Sequence, residues 1–142
     1  MNSLRLIQTT TFACLLTGCS MFSEKVATTL PQETLLKPDP ALHHALVEAA
    51  RRKAAEAHWE ENFVVASVMS YDWKMQREPA TGVLVGRGIE AAVGSRTSDG
   101  QCGYKEMLFV QEHDGRGFTG PIEVSASGPS TPVQCSALRA TE

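Results

Sequence analysis

Residues 39–76 have the sequence DPALHHALVEAARRKAAEAHWEENFVVASVMSYDWKMQ, in which apolar residues change from a helical to a strand spacing. Strong helix formers dominate up to Trp59, and apolar positions recur there every three to four residues. Asp39 can cap free backbone amides, and Pro40 suits a first helical position because no N–H is needed there. This half of the stretch predicts one helix of about five turns.

From Phe63 onward apolar and polar residues alternate. The odd positions are occupied by Phe63, Val65, Ser67, Met69, Tyr71, Trp73 and Met75. Strict alternation is typical of a strand with one buried face. The pattern predicts a single long strand that ends before Pro79, where a proline interrupts pairing.

Three further strands are predicted downstream, over residues 83–93, 102–112 and 117–126, separated by the turn residues Ser98-Asp99-Gly100 and Asp114-Gly115. Pro121 makes the last of them an edge strand. Glycines at positions 86, 88 and 94 share one face of the second strand and indicate a bulge, a bend or close approach by another backbone.

One helix followed by four strands joined by short turns predicts an α+β fold. We expect the N-terminal helix to pack on a curved four-stranded antiparallel meander. In outline this arrangement resembles cystatin-like and nuclear-transport-factor-like domains. The resemblance is one of shape, since no motif of either family is present.

Composition narrows the functional classes. The chain has 142 residues, 13 basic and 16 acidic side chains, and a net charge of −3. The length fits one domain, and the acidic balance argues against nucleic-acid binding, which needs a basic face. No apolar run reaches the roughly 20 residues that a spanning helix requires.

The N-terminal segment has the pattern of an export signal. One basic residue, Arg5, precedes an apolar stretch from Leu6 to Leu16, which is too short and too polar to span a membrane. This stretch ends in Leu16-Thr17-Gly18-Cys19, which closely resembles the lipobox of bacterial lipoproteins. An ordinary secretory signal with a chance cysteine is the alternative.

The resemblance implies cleavage before Cys19 and attachment of acyl chains such as palmitate to that residue. Several chains on one cysteine anchor a protein stably. In this family an aspartate after the cysteine favours the inner membrane. Ser20 at that position implies the outer membrane, facing the periplasm. The expected organisation is a signal peptide over 1–18, a lipidated flexible tether over 19–38, where Leu30, Leu35 and Leu36 are candidates for local docking, and one folded domain over 39–142.

Two cysteines remain in the predicted domain, Cys102 and Cys135. An even pair in an oxidising compartment favours a disulfide. A zinc site or a catalytic thiol is the alternative. The wide spacing without a Cys-x-x-Cys motif disfavours zinc, and a nucleophilic thiol would need a positioned histidine.

The candidate site residues are three side chains of the predicted sheet. Tyr71 and Trp73 share one side of the first strand and indicate either core packing or an aromatic patch for a partner or glycan. Arg87 interrupts an apolar face, so it marks a bulge or needs a carboxylate partner such as Glu106 or Glu123.

No catalytic, metal-binding or cofactor-binding constellation is evident. His43 and His44 are adjacent and diverge on a helix, and no Gly-x-Ser-x-Gly elbow is present. We therefore expect a non-enzymatic envelope lipoprotein that binds an envelope protein. The alternatives are an inhibitor or immunity protein acting on a periplasmic hydrolase or toxin through residues 77–82 or 113–117, or an accessory subunit of a secretion or conjugation machine.

Overall fold

The computed structural model describes residues 30–31, 39–70 and 72–139. Within these residues the chain forms one α-helix, six β-strands and a short 3-10 helix. Their bounds are α1 Pro40–Ala57, β1 Asn62–Val68, β2 Lys74–Arg77, β3 Leu84–Arg96, β4 Cys102–Glu112, β5 Glu123–Ser127, β6 Thr131–Pro132 and the 3-10 helix Cys135–Arg139.

The helix begins and ends as the sequence predicts. The Asp39 carboxylate accepts hydrogen bonds from the backbone N–H groups of Ala41 and Leu42 at 3.0 and 3.2 Å. The helix ends at His58, which adopts a left-handed conformation with φ 55°. Its buried face is mostly alanine, and these small side chains let the helix lie close to the sheet. The buried residues are Leu46, Val47, Ala49, Ala50 and Ala54.

All strand pairings are antiparallel, and β3 is central. It pairs with β1 and β2 on one side and with β4 on the other, and β4 also pairs with β5 and β6. The α+β class is confirmed. The sheet has six strands among the described residues rather than the predicted four, because the first predicted strand is divided into β1 and β2 and the tail adds β6.

A β-bulge at Val64 overturns the predicted faces of the first strand. Phe63 pairs with Ser95 and Val65 with the next residue, Gly94, so β1 contains one extra residue. An extra residue moves each later side chain of the strand to the opposite face of the sheet. Residues Phe63, Ala66 and Val68 therefore face the helix, whereas Val65 packs on the opposite face.

The fourth predicted strand is also shorter than expected. Regular pairing begins only at Glu123, and residues 117–122 form a loop instead. Ile122 and Val124 still pack against the core beneath the helix. β5 pairs only with β4 among the described strands, so its prediction as an edge strand is confirmed.

A second, smaller core lies on the face of the sheet opposite the helix. It is formed by Leu30, Cys102, Val133 and Leu138. Leu30 is 6% exposed, and the Ser67 hydroxyl donates to the carbonyl of Pro31 at 2.6 Å. Local docking of Leu30 is thus confirmed, while Leu35 and Leu36 lie outside the described residues.

The predicted disulfide is present. Cys102 and Cys135 are bonded, with an S–S distance of 2.05 Å and Cα atoms 5.1 Å apart. The bond joins the start of β4 to the 3-10 helix and borders the second core. It therefore fixes the tail against the sheet.

Candidate functional site

Two loops meet at one end of the sheet. β3 begins where β2 and β4 end, as shown by the pairing of Gly86 with both Gln76 and Glu112. The backbone N–H of His113 donates to the carbonyl of Val85 at 3.0 Å, just beyond the strand pairing. The β2–β3 loop over 78–83 and the β4–β5 loop over 113–122 therefore lie at the same end.

Arg87 lies at this end, on the face of the sheet that the helix covers elsewhere. Alternation along β3 puts Arg87 on the same side as Ile89, Ala91 and Val93, which belong to the core beneath the helix. Ile89 is 1% exposed, whereas Arg87 is only half-buried. The helix thus covers this face up to Ile89 and leaves Arg87 partly open.

Two aromatic rings and one amide hold the Arg87 guanidinium. Its central carbon lies 4.1 Å from the centroid of the Trp73 ring and 4.3 Å from that of Phe118. The Oε1 atom of Gln111 accepts from Nε and Nη2 of Arg87 at 3.0 and 2.7 Å. The amide nitrogen of Gln111 donates to the carbonyls of Phe118 and Gly120. These contacts fix the orientation of the guanidinium.

Of the two sequence-based explanations for Arg87, the carboxylate partner is wrong, and the bulge lies beside Arg87 rather than at it. The register between β3 and β4 is unbroken from Gly86 to Arg96. The register between β2 and β3 shifts at Val85, two residues before Arg87, which is itself regularly paired with Met75. Arg87 also forms no ion pair with a carboxylate of the described residues. Glu106 pairs with Ala92 and so projects from the other face. Ring faces and an amide oxygen instead stabilise the charge, while desolvation lowers the pKa of Arg87 below its ordinary value.

The loop that supplies Phe118 is internally braced. The Asp114 carboxylate accepts from the backbone N–H groups of Arg116 and Gly117, both at 2.8 Å, and from the Thr119 hydroxyl at 2.9 Å. These backbone hydrogen bonds lower the pKa of Asp114. The His113 ring meets Phe118 edge to face, with centroids 4.9 Å apart. Phe118 is therefore positioned by its own loop as well as by Gln111.

Large apolar side chains are exposed around Arg87. Met75 pairs with Arg87 across β2 and β3 and is 51% exposed, and Val85, two residues before Arg87, is 45% exposed. We call Trp73, Met75, Val85, Arg87 and Phe118 together the Arg87 patch. Grouped apolar exposure around a fixed polar group is typical of interaction surfaces.

No family model matches the chain, and no curated protein or solved structure matches it either. Among the residues that the structure describes, no group of three His, Cys, Asp or Glu side chains is arranged to hold a metal ion. Nor do they contain a helix long and apolar enough to cross a membrane.

The candidate residues divide into three groups. Trp73 and Arg87 are in direct contact, and Cys102 and Cys135 form the disulfide. Tyr71 and Cys19 lie outside the described residues.

Sequence reasoning missed Phe118 and Gln111. Phe118 falls within the predicted strand over 117–126, although it follows two glycines, Gly115 and Gly117, that signal a longer loop. Gln111 has the same parity as the inward residues Met107 and Phe109 of β4. A polar residue on the inward face of β4, Gln111, was the sequence signal that could have indicated a partner for Arg87.

Proposed function

We propose that this protein is a non-enzymatic, lipid-anchored envelope protein that faces the periplasm from the outer membrane and binds another envelope protein through the Arg87 patch. The observation that carries the binding role is the exposure of Met75 and Val85 beside a guanidinium fixed by two rings. Burying such apolar surface on a partner is favourable by roughly 25 cal/mol per Å².

The anchoring role rests on the resemblance of Leu16-Thr17-Gly18-Cys19 to a lipobox. Cleavage before Cys19, its acylation and the outer-membrane location implied by Ser20 all follow from that resemblance. Cys19 and Leu30 are eleven positions apart, which corresponds to at most about 40 Å of extended chain at 3.3–3.6 Å per residue. Because Leu30 packs on the domain, a lipid on Cys19 would keep the domain near the bilayer.

Leu30, the first described residue after the proposed anchor, and the Arg87 patch lie toward opposite ends of β3. A side chain at Gly94 would lie within 3.6 Å of Leu30, so Leu30 packs near the last residues of β3, whereas Arg87 is near its first. Gly94 and Arg87 are seven positions apart in β3, which corresponds to about 23 Å at roughly 3.3 Å per residue. We propose that the Arg87 patch points away from the membrane, toward a partner in the periplasm.

Inhibition of a periplasmic hydrolase or toxin is the second candidate. It is favoured by the position of both candidate loops, residues 77–82 and 113–117, at the same end of the sheet. Two adjacent loops that flank an apolar patch have the general form of a surface that inserts into a cleft. The helix packed on an antiparallel sheet resembles cystatin-like and nuclear-transport-factor-like domains in outline, and that finer assignment is part of this proposal.

Fractionation of cells that express the full chain tests the anchor. Cys19→Ala should abolish incorporation of labelled palmitate and release the protein from membranes, because the acyl chains supply the attachment. Cys14→Ala is the matched control, since the predicted cleavage discards that cysteine. Continued membrane attachment of Cys19→Ala with the same processed mass would contradict the lipoprotein assignment.

Site-specific crosslinking in cells tests the binding role. A photoreactive residue at position 75 should give a discrete adduct with an envelope protein. The same residue at position 64 is the control, because Val64 is also exposed, at 42%, and lies in β1 away from the Arg87 patch. A hydrolase or toxin in the adduct would select the inhibitor candidate. If position 75 gives no adduct beyond that of position 64, the binding role is wrong.

A further inference from the structure

We infer that the Arg87 patch binds a carboxylate, supplied by an Asp or Glu side chain that stands between apolar residues in a segment of the partner protein. This inference rests on the proposed function and names the partner's chemistry. The charge of the patch, the fixed orientation of Arg87 and the apolar residues near it all favour this occupant.

The guanidinium retains donors for a ligand. Arginine has five N–H donors in a planar fork, and Gln111 Oε1 receives hydrogen bonds from Nε and Nη2. The Nη1 group makes no hydrogen bond with the described residues. Nη1 and the second hydrogen of Nη2 form the edge that a carboxylate can accept from in a bidentate manner.

The carboxylates nearest in sequence and register are engaged elsewhere or face away. Both oxygens of Asp114 accept hydrogen bonds within its own loop. Glu90 is paired with Lys74 at 3.2 Å, and Glu112 pairs with Gly86, whose parity puts it on the opposite face from Arg87. The neighbouring cation Arg77 donates to the carbonyl of Gly82. The positive charge of Arg87 is thus uncompensated among the described residues.

The surroundings of Arg87 favour a protein segment over an inorganic anion or a sugar. Trp73 and Phe118 exclude water from the faces of the guanidinium, which strengthens an ion pair relative to one in bulk water. Met75, which pairs with Arg87, and Val85, two residues before it in β3, offer exposed apolar surface, and a phosphate or a sugar hydroxyl has nothing to bury there. An acidic residue flanked by apolar side chains satisfies both features at once.

The probe is a displayed library of random 12-residue peptides, selected against the full lipidated protein in detergent micelles. We expect the selected peptides to share one Asp or Glu with apolar neighbours. Arg87→Gln should weaken their binding about ten- to a hundredfold, the range expected for losing hydrogen bonds to a charged group. Arg87→Lys retains the charge but not the planar fork, so its affinity for the peptides should lie between those of Arg87→Gln and the unmodified protein. Arg96→Gln, an exposed arginine at the other end of β3, should bind as the unmodified protein does.

A second experiment changes the peptide and measures its binding to the unmodified protein, so its main result does not depend on the folding of a variant. Replacing the shared acid of a selected peptide by its amide should weaken binding to the unmodified protein by the same factor, and should have no effect on Arg87→Gln. Failure to enrich an acid, or amide peptides that bind equally well, overturns the inference. A homodimer adduct from position 75 overturns it as well, because the occupant is then a second copy. The in-cell adduct at position 75 tests the proposed function separately, so the two can fail independently.

Discussion

Because Gly94 has no side chain, Leu138 and Val65 can pack close to the backbone of β3. A Cβ atom at this position would lie 2.5 Å from Leu138 and 2.8 Å from Val65. Both separations are shorter than nonbonded carbon atoms allow. The glycine therefore provides the close approach that its position in a strand suggested, and it lets the second core form against β3.

Gly94→Ala tests this packing. We expect the free energy of unfolding to fall by about 1–3 kcal/mol, because overpacking forces neighbouring side chains to shift. Urea unfolding followed by circular dichroism measures the loss. Gly120→Ala is the control, since nothing lies within 4 Å of a Cβ atom there. Equal stability of the two variants would contradict the proposed crowding.

Glu61 and Lys105 form the most buried of the described ion pairs. Their charged atoms are 2.9 Å apart, with side-chain exposures of 17% and 11%, and the Lys105 nitrogen lies 4.0 Å from the centroid of the Trp59 ring. Desolvation raises the pKa of Glu61. The hydrogen bond from Lys105, the backbone N–H of Glu61 and the lysine charge oppose it and leave the pKa lowered.

The lowered pKa of Glu61 sets the sign of a pH effect. Its folded pKa lies below the unfolded value of about 4.3, so the carboxylate stabilises the fold above that pH. The contribution is lost as the pH falls through the folded pKa. We expect Glu61→Gln to destabilise the protein at pH 7 and to weaken the acid dependence of unfolding between about pH 5 and 3. Urea titrations across this range measure both effects, with the exposed neighbour Glu60→Gln as control.

At the scale of elements, the helix was predictable because its signals are local. Composition, the Asp39 cap and Pro40 all lie within or beside the helix itself. Strand faces were harder to predict, because the Val64 bulge depends on how β1 pairs with β3, which the sequence of β1 alone does not encode. The site was half predictable for the same reason. Trp73 and Arg87 stand out in the predicted strands, whereas Phe118 comes from a loop far along the chain.

The Asp39 cap makes the helix start testable. Asp39→Ala should lower the free energy of unfolding by about 1 kcal/mol, because two backbone N–H groups lose their acceptor. Thermal unfolding followed at a helical wavelength measures the change. Asp72→Ala, which removes an exposed aspartate outside the helix, should have no comparable effect. An unchanged transition in Asp39→Ala would show that the cap contributes little.

For the whole molecule, the disulfide links two distant parts of the chain. Cys102 and Cys135 are 33 positions apart, and closing a loop of that size stabilises a fold by about 3–4 kcal/mol on the chain-entropy model. The double variant Cys102→Ser with Cys135→Ser should lose stability of that order. A reductant should lower the stability of the unmodified protein and leave the double variant unchanged. Equal sensitivity of both proteins to reductant would contradict this role.

Leu30 packs against Val133 and Leu138, residues that lie far later in the sequence. A polypeptide is made from its amino end, so Leu30 becomes available long before the residues that complete its binding site. Contacts between such distant residues form late, since much of the chain must already be ordered. The second core therefore cannot close before residues 133–138 have been made. The Cys102–Cys135 bond obeys the same order, because its second sulfur arrives with the 3-10 helix.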